Sequence, residues 1–209
     1  MLTSKVLEER MSPINGKIKV VRTLGLGTYI QVEGLTQSGG IIESMWKGTL
    51  KKINKKEIKN CLILGLGGGT VAKLIGKHWP KANITGVDID PVMVELGKRY
   101  LGLGGNSINV VIGDAYKYLT QNGKIKTKSY NLVIVDLYCG YEYPKKFEKE
   151  DFLKLIFKLL SPEGVVIFNR LYSGGKRKEA IKFGEKLESI FSEVVWHYPL
   201  ANLMFICSK

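Results

Sequence analysis

The sequence predicts a doubly wound α/β protein with a mostly parallel seven-stranded sheet, a C-terminal antiparallel hairpin and a small N-terminal β unit. Between residues 61 and 171, five short segments rich in Val, Ile and Leu alternate with helix-like segments. Continuous apolar strands separated by helices are typical of a parallel sheet that is covered on both faces. The first of these strands runs directly into a glycine-rich turn at 65–69, a connection typical of Rossmann-like folds.

The first 60 residues are predicted to form a β unit followed by a helix. Residues 17–34 hold two β-rich segments around Leu-Gly-Leu-Gly, a pattern typical of a hairpin or short meander. Between Gly39 and Asn60, apolar residues recur at helical spacing, and we expect Trp46 to pack in the core. The chain is therefore divided into a β unit at 1–45 and a Rossmann-like domain at 46–209.

The remaining elements follow in order along the chain. Strands are predicted at 61–66, 83–89, 109–114, 130–137 and 164–171, and helices from about 70 to 78, 91 to 100, 149 to 160 and 177 to 190. Two further β segments, 192–199 and 202–209, are separated by two residues. A connection this short cannot make a parallel crossover, so these segments should pair antiparallel.

The composition and charge of the chain limit the partners and the location that we expect for it. A net charge of +13 would attract polyanions. However, the lysine clusters at 51–59, 124–128 and 176–178 lack interleaved aromatic residues for base stacking, so a nucleic-acid partner is not favoured. No apolar run approaches the roughly 20 residues that span a bilayer. Because the N-terminus also lacks a secretory signal pattern, we expect a cytoplasmic protein without a membrane partner.

The three cysteines do not indicate a metal site. Cys61, Cys139 and Cys207 are far apart and form neither a CxxC pair nor a zinc-ligand spacing. We expect no structural metal and no disulfide framework.

Four sequence features are expected to meet at the carboxyl edge of the sheet. The turn after the first strand supplies the glycines Gly65, Gly67, Gly68 and Gly69. Glycines let the backbone adopt positive φ and approach a ligand. The next three strands end in or just before the acids Asp88, Asp114 and Asp136. Since open α/β sheets bind ligands at this edge, the pattern predicts a nucleoside-containing cofactor whose ribose hydroxyls donate to Asp88.

The glycine turn and the segments after the later strands argue against a dinucleotide as the cofactor. A dinucleotide site typically has GxGxxG, whereas Thr70 stands at the third glycine position. The Gly-Asp-Ala at 113–115, the acid after strand four and the terminal hairpin resemble the class I S-adenosylmethionine-dependent methyltransferases. The resemblance implies that Asp88 binds ribose and Asp114 meets the adenine amino group, with Ile89 and Ala115 beside them in the cofactor site.

Within that superfamily the chain is most similar to the spermidine synthases. The segments that carry the resemblance are GKIKV, YIQVEGLTQS, LILGLGGGT, GVDIDPVMVELGKRYL, VVIGDAYKYL and NLVIVDLY. Spermidine synthases transfer an aminopropyl group from decarboxylated S-adenosylmethionine to a diamine, and they hold the cationic substrates with several acids. The resemblance also implies a homodimer formed through the N-terminal β unit.

Acids typical of that family are absent from this sequence. Gly68 stands where the family's glycine motif has the Asp that engages the donor's amine. Cys139 stands where the strand-four motif has its second acid, and the helix after Gln37 and Ser38 lacks the usual Tyr-Gln or His-Glu pair. A desolvated ammonium without its carboxylate loses a charged hydrogen bond worth about 1.5–3 kcal/mol, so polyamine affinity should suffer.

The retained acid, Asp136, is the expected general acid/base or acceptor-positioning residue, and Tyr138, Tyr141 and Glu142 are the expected acceptor wall. We predict methyl transfer from S-adenosylmethionine to a small-molecule acceptor. A divergent aminopropyltransferase that uses decarboxylated S-adenosylmethionine stays open, with Glu142, Asp90 or a partner subunit replacing the missing acids. So does a nucleoside-binding module without turnover, whose basic surface contacts RNA or another protein.

Overall fold

A four-stranded antiparallel sheet precedes a seven-stranded sheet in this computed structural model, which describes residues 4–53, 57–104, 108–120 and 129–209. The small sheet contains, in spatial order, β1 (Ser4–Ser12), β2 (Gly16–Thr23), β3 (Gly27–Val32) and β4 (Leu35–Gly39). Strands β2 and β3 form the predicted hairpin. The sequence did not predict β1 or β4, because β1 is a charged edge strand and β4 is short and carries three polar residues.

The large sheet has the predicted architecture. Its parallel strands are β5 (Asn60–Leu64), β6 (Asn83–Asp88), β7 (Ile108–Ile112), β8 (Tyr130–Val135) and β9 (Leu160–Leu171). The last two strands form the expected antiparallel hairpin, β10 (Glu193–His197) and β11 (Asn202–Ser208). The spatial order β10-β11-β9-β8-β5-β6-β7 places β5 and β8 side by side, so the ends of the chain's first and fourth core strands meet.

Helices cover both faces of the large sheet. They are α1 (Ile41–Leu50), α2 (Thr70–His78), α3 (Pro91–Tyr100), α4 (Ala115–Thr120), α5 (Glu150–Leu159) and α6 (Arg177–Glu188), with a 3₁₀ turn at Lys145–Glu148. Of the six, only α4 was not predicted, since it is only six residues long. Among the described residues, no helix combines the length and apolar character needed to cross a membrane.

A separate apolar cluster joins the small sheet to the large domain. Ile18, Val20, Ile30 and Val32 of the small sheet pack against Met93 and Leu96 of α3. Burial of such side chains contributes roughly 1.5–3 kcal/mol each. This contact anchors the small sheet on α3. The division of the chain at residue 45 stays a prediction.

The structure describes only part of the predicted lysine clusters. Lys55 and Lys56 of the first cluster, and all three lysines of the cluster at 124–128, lie outside the described residues.

Candidate active site

One cleft at the carboxyl edge of the large sheet brings the predicted cofactor residues together. Its lining includes Gly65, Gly67, Asp88, Ile89, Asp114, Ala115 and Asp136. The other two predicted glycines lie beside this cofactor cleft rather than on its lining. The backbone N–H of Gly68 donates to the Ser38 hydroxyl at 2.8 Å. Gly69, which directly precedes α2, packs on Leu103.

Gly65 sets the position of Asp136. Its φ is +89°, and a Cβ atom at this residue would lie 2.0 Å from the carbonyl oxygen of Asp136. The Gly65 N–H donates to the Val87 carbonyl at 2.9 Å, and the Asp136 N–H donates to the Leu64 carbonyl at 2.8 Å. The ends of β5, β6 and β8 are thus held together with no room for a side chain at residue 65.

Asp88 is held at the mouth of the glycine turn. One carboxylate oxygen accepts the Gly67 N–H at 2.6 Å, and the other accepts the Asp90 N–H at 2.9 Å. Burial raises the pKa of Asp88 above its ordinary value, although these two N–H groups act in the opposite direction. The side chain is therefore a pre-oriented acceptor beside a backbone that carries no Cβ atom at Gly67.

Asp114 lines the cofactor cleft just after β7, the edge strand next to β6. One oxygen accepts the Lys117 N–H at 2.9 Å and caps α4, while the other forms an ion pair with Lys146. Burial alone would raise the pKa of Asp114, but the Lys146 ammonium and the Lys117 N–H together hold it below its ordinary value. Lys146, which reaches Asp114 from the 3₁₀ turn, was not predicted, because no local pattern marks it.

Asp136 directly follows the last residue of β8 and lines the cofactor cleft. Removal of water by the surrounding protein raises the pKa of Asp136 to about 6, and the nearby Asp88 carboxylate acts in the same direction. Asn169 and Trp46 oppose this shift by hydrogen-bonding interactions that favour the charged form. A carboxyl group with a pKa near neutrality is suited to accept a proton at physiological pH.

A pair of buried amides holds the Asp136 carboxyl group. The Asn169 side chain donates to Asp136 Oδ1 at 2.7 Å, and Asn202 donates to the Asn169 amide oxygen at 2.8 Å. Neither Asn169 nor Asn202 was predicted to lie in the site. A polar residue inside the apolar segment 164–171 was an available signal for Asn169, whereas nothing marked Asn202.

Trp46 packs in the core as predicted, since none of its surface is exposed. The structure adds a second feature of this residue. Its indole nitrogen makes no hydrogen bond of good geometry among the described residues, yet it lies near enough to Asp136 to lower that residue's pKa. The indole N–H is thus a buried donor on the Asp136 side of α1.

Only part of the predicted acceptor wall lies beside Asp136. Tyr138 lines the cofactor cleft, accepts the Leu171 N–H at 2.6 Å through its hydroxyl oxygen, and has its pKa raised to about 12 by burial. Tyr141 is exposed at the surface, and Glu142 is an exposed partner of Lys176 at 3.1 Å. The structure therefore does not bring Tyr141 or Glu142 to Asp136.

Arg170 anchors the loop that follows β8. It is 3% exposed, and its guanidinium lies 4.1 Å from the centre of the Tyr143 ring and 2.7 Å from a Glu148 carboxylate oxygen. On the same loop, burial raises the pKa of the Cys139 thiol, which disfavours a nucleophilic thiolate. The loop is fixed by packing, and Cys139 remains a neutral part of the cleft lining.

The raised pKa of Asp136 predicts a pH-dependent stability. An unfolded Asp has a pKa near 4, so the folded state holds this proton more tightly, and the associated stability is present below pH 4 and lost as the pH rises to about 6. At about 1.4 kcal/mol per pKa unit, the loss is on the order of 3 kcal/mol. Urea unfolding of wild type and Asp136→Asn between pH 4 and pH 8 should show the variant gaining relative stability across this window. Parallel curves would contradict the assignment.

The cofactor cleft fits a ligand with a ribose and a base. The backbone at Gly67 has a φ of +56°, which favours glycine and leaves no side chain in the way. The Asp88 carboxylate is an acceptor suited to a vicinal diol, and Asp114 is a second acceptor after the neighbouring strand. This geometry is the one on which a nucleoside-containing cofactor depends.

The chain is similar in sequence to a known domain family and to its members. The spermine/spermidine synthase domain matches residues 47–200. A polyamine aminopropyltransferase of Chromobacterium violaceum is 32% identical over 146 residues, which are 69% of this chain and 53% of that protein. The chain thus spans about half the length of this relative.

Solved structures share the fold. Spermidine synthase from Thermotoga maritima superposes with a TM-score of 0.80 at 18% identity, covering 98% of this chain and 73% of that one. Human methyltransferase-like protein 13, solved in complex with S-adenosylhomocysteine, superposes with a TM-score of 0.62 at 24% identity, covering 80% and 79% of the two chains. Similarities at these identities support the fold alone.

Proposed function

The chain belongs to the spermine/spermidine synthase domain family, and from this premise we propose that it is an S-adenosylmethionine-dependent transferase that methylates a small-molecule acceptor. Gly65, Gly67, Asp88 and Asp114 would hold the donor, and Asp136 would act on the acceptor. The observation that carries the choice of methyl over aminopropyl transfer is the packing around Gly68.

Gly68 is packed so closely that the acid which aminopropyl transfer uses in this family would require its neighbours to shift. A Cβ atom at residue 68 would lie 2.9 Å from side-chain atoms of Ile30, Leu101 and Ser38. An Asp here would have to displace side chains from three places in the fold, namely Ile30 of β3, Ser38 of β4 and Leu101 at the end of α3; of these contacts, the one to the Ser38 Cβ atom lies next to the backbone. The aligned acid is therefore replaced by packing between the glycine turn and the small sheet.

The other candidate acids have structural partners. Asp90 is fully buried, caps α3 through Val92 and Met93, and also accepts hydrogen bonds from Ser12 and Asn15. The exposed Glu142 pairs with Lys176. The described acids that line the cofactor cleft are Asp88, Asp114 and Asp136. With those assigned to ribose, base and acceptor, none remains for the lone ammonium of a decarboxylated donor, whereas the amino-acid end of S-adenosylmethionine is zwitterionic and carries its own counter-charge.

The residues around Asp136 suit proton removal and alignment. When bound, the donor supplies an electrophilic methyl carbon on a positively charged sulfur, which keeps the electron pair of the bond that breaks. Asp136 accepts the proton that the acceptor's attacking atom gives up. Asn169 fixes the carboxyl group at 2.7 Å, so the base is oriented before the acceptor arrives.

Asp88→Asn should weaken the binding of S-adenosylhomocysteine. The substitution keeps the shape but removes the charge, and a hydrogen bond to a charged group is worth about 1.5–3 kcal/mol, which corresponds to roughly 10- to 150-fold in the dissociation constant. Calorimetric titration measures this directly. Asp151→Asn, at an exposed position on α5, is the matched control for charge. A change below threefold in Asp88→Asn would contradict the ribose assignment.

Product analysis tests the reaction. With S-adenosylmethionine and a panel of amines and phenols, we expect S-adenosylhomocysteine and a methylated acceptor to accumulate together. Release of 5′-methylthioadenosine from the decarboxylated donor, dependent on putrescine, would instead support the aminopropyltransferase suggested by the similarity to the Chromobacterium violaceum protein. Retention of the cofactor with no product would support the nucleoside-binding module.

A further inference from the structure

A second cleft opens on the other side of Asp136 from the glycine turn. It lies between the small sheet, α1 and the ends of β9 and β11, and we call it the acceptor cleft. Its lining residues are Leu35, Thr36, Gln37, Ile42, Met45, Asp136, Tyr138, Asn169, Leu171 and Asn202. Gln37, Asp136 and Tyr138 also line the cofactor cleft, so these three side chains form the wall between the two spaces.

Among the described residues that line the acceptor cleft, Asp136 is the only charged side chain, and there is no Lys, Arg or His. The polar remainder is neutral, since Asn169 and Asn202 bond to each other and to Asp136. Four aliphatic or thioether side chains, from Leu35, Ile42, Met45 and Leu171, complete the lining.

This charge distribution distinguishes between acceptors. An amine placed at Asp136 has a carboxylate partner. A second ammonium on the same molecule would lie among apolar side chains and amides, where it loses its hydration without gaining a charged partner. An uncharged alkyl chain has no charge whose hydration would be lost there, and it gains free energy by burying apolar surface.

We propose that the acceptor cleft binds a single primary amine at the end of an apolar chain, with the amine at Asp136, and that it discriminates against diamines. The inference rests on the proposed function, because it assigns the substrate class of the same site. In keeping with that function, the amine belongs to a free small molecule.

Calorimetry on protein saturated with S-adenosylhomocysteine tests the inference without turnover. The probes are n-butylamine and 1,4-diaminobutane, which have the same carbon chain and differ by one ammonium group. We expect n-butylamine to bind at least tenfold more tightly. Equal or tighter binding of the diamine, or no binding of either amine at millimolar concentration, would overturn the proposal.

A pair of variants at residue 171 isolates the role of charge. Leu171→Asp adds a carboxylate to the acceptor cleft, and Leu171→Asn adds a side chain of the same shape without charge. The hydrogen bond from residue 171 to Tyr138 comes from the backbone and survives either change. We expect Leu171→Asp to bind 1,4-diaminobutane at least tenfold more tightly than Leu171→Asn does. Equal affinities in the two variants would overturn the proposal.

The same titrations separate this inference from the proposed function. Failure of wild type to bind S-adenosylhomocysteine contradicts the proposed function. Binding of S-adenosylhomocysteine with a preference for the diamine contradicts only the acceptor class. A third probe, Nα-acetyl-lysine methylamide, tests the small-molecule assignment: weaker binding than n-butylamine supports a free amine, and tighter binding would contradict that assignment in favour of a protein lysine.

Discussion

Asp136→Asn is expected to lower the rate of group transfer by about 10²- to 10⁴-fold, the range over which a positioned general acid or base acts. The variant keeps the shape of the side chain and leaves the Asn169 donor a neutral oxygen to bind. It removes the only acid among the described residues that line the acceptor cleft. Single-turnover rates with a fixed acceptor amine measure the effect.

Binding and turnover should respond differently in this variant. Asp136 lies at the wall of the cofactor cleft rather than at its ribose or base end, so the dissociation constant for S-adenosylhomocysteine should change less than threefold. Asp151→Asn controls for the change in net charge. Full activity of Asp136→Asn, or a loss that appears only as weaker cofactor binding, would contradict the role of Asp136 as a base.

Gly65→Ala should strongly destabilise the fold. The added methyl group would lie 2.0 Å from the Asp136 carbonyl oxygen, and the backbone φ of +89° is unfavourable for any residue with a Cβ atom. Overpacking costs about 1–3 kcal/mol and backbone strain a similar amount, so we expect a loss of about 3–5 kcal/mol. For a chain of this size, the melting temperature should fall by about 6–20 °C.

Gly48→Ala is the matched control for this substitution. Gly48 lies in α1, and a Cβ atom there meets nothing within 4 Å. Ala is a better helix former than Gly by about 1 kcal/mol, so this variant should melt a few degrees higher. Differential scanning calorimetry of both variants gives the comparison, and a Gly65→Ala melting temperature within about 2 °C of wild type would contradict the close contact between β5 and β8.

The cofactor side of the site was largely predictable because it depends on local order along the chain. Strand, glycine turn and helix occur consecutively, and parallel strands bring Asp88, Asp114 and Asp136 to one edge whatever the details of packing. The structure confirms that these three acids share one cleft. Their proposed roles at ribose, base and acceptor remain predictions.

The acceptor side depends on contacts between distant parts of the chain, which no local pattern reveals. Asn202 reaches Asn169 because β11 pairs with β9 beside it, and their register follows from the whole sheet. Of the residues predicted for the acceptor wall, Tyr138 lines the cleft, whereas Tyr141 and Glu142 are at the surface, where Glu142 pairs with Lys176. The sequence itself shows that residue 68 is not an acid. The close packing of Gly68 on Ser38, which explains why an acid does not fit easily, is seen only in the structure.

A calorimetric titration with S-adenosylmethionine and with its decarboxylated form, under identical conditions, tests the central claim most directly. The packing around Gly68 leaves a lone donor ammonium without a carboxylate, so S-adenosylmethionine should bind at least tenfold more tightly, a difference of about 1.4 kcal/mol. Tighter binding of the decarboxylated form would contradict methyl transfer and would assign the protein to aminopropyl transfer.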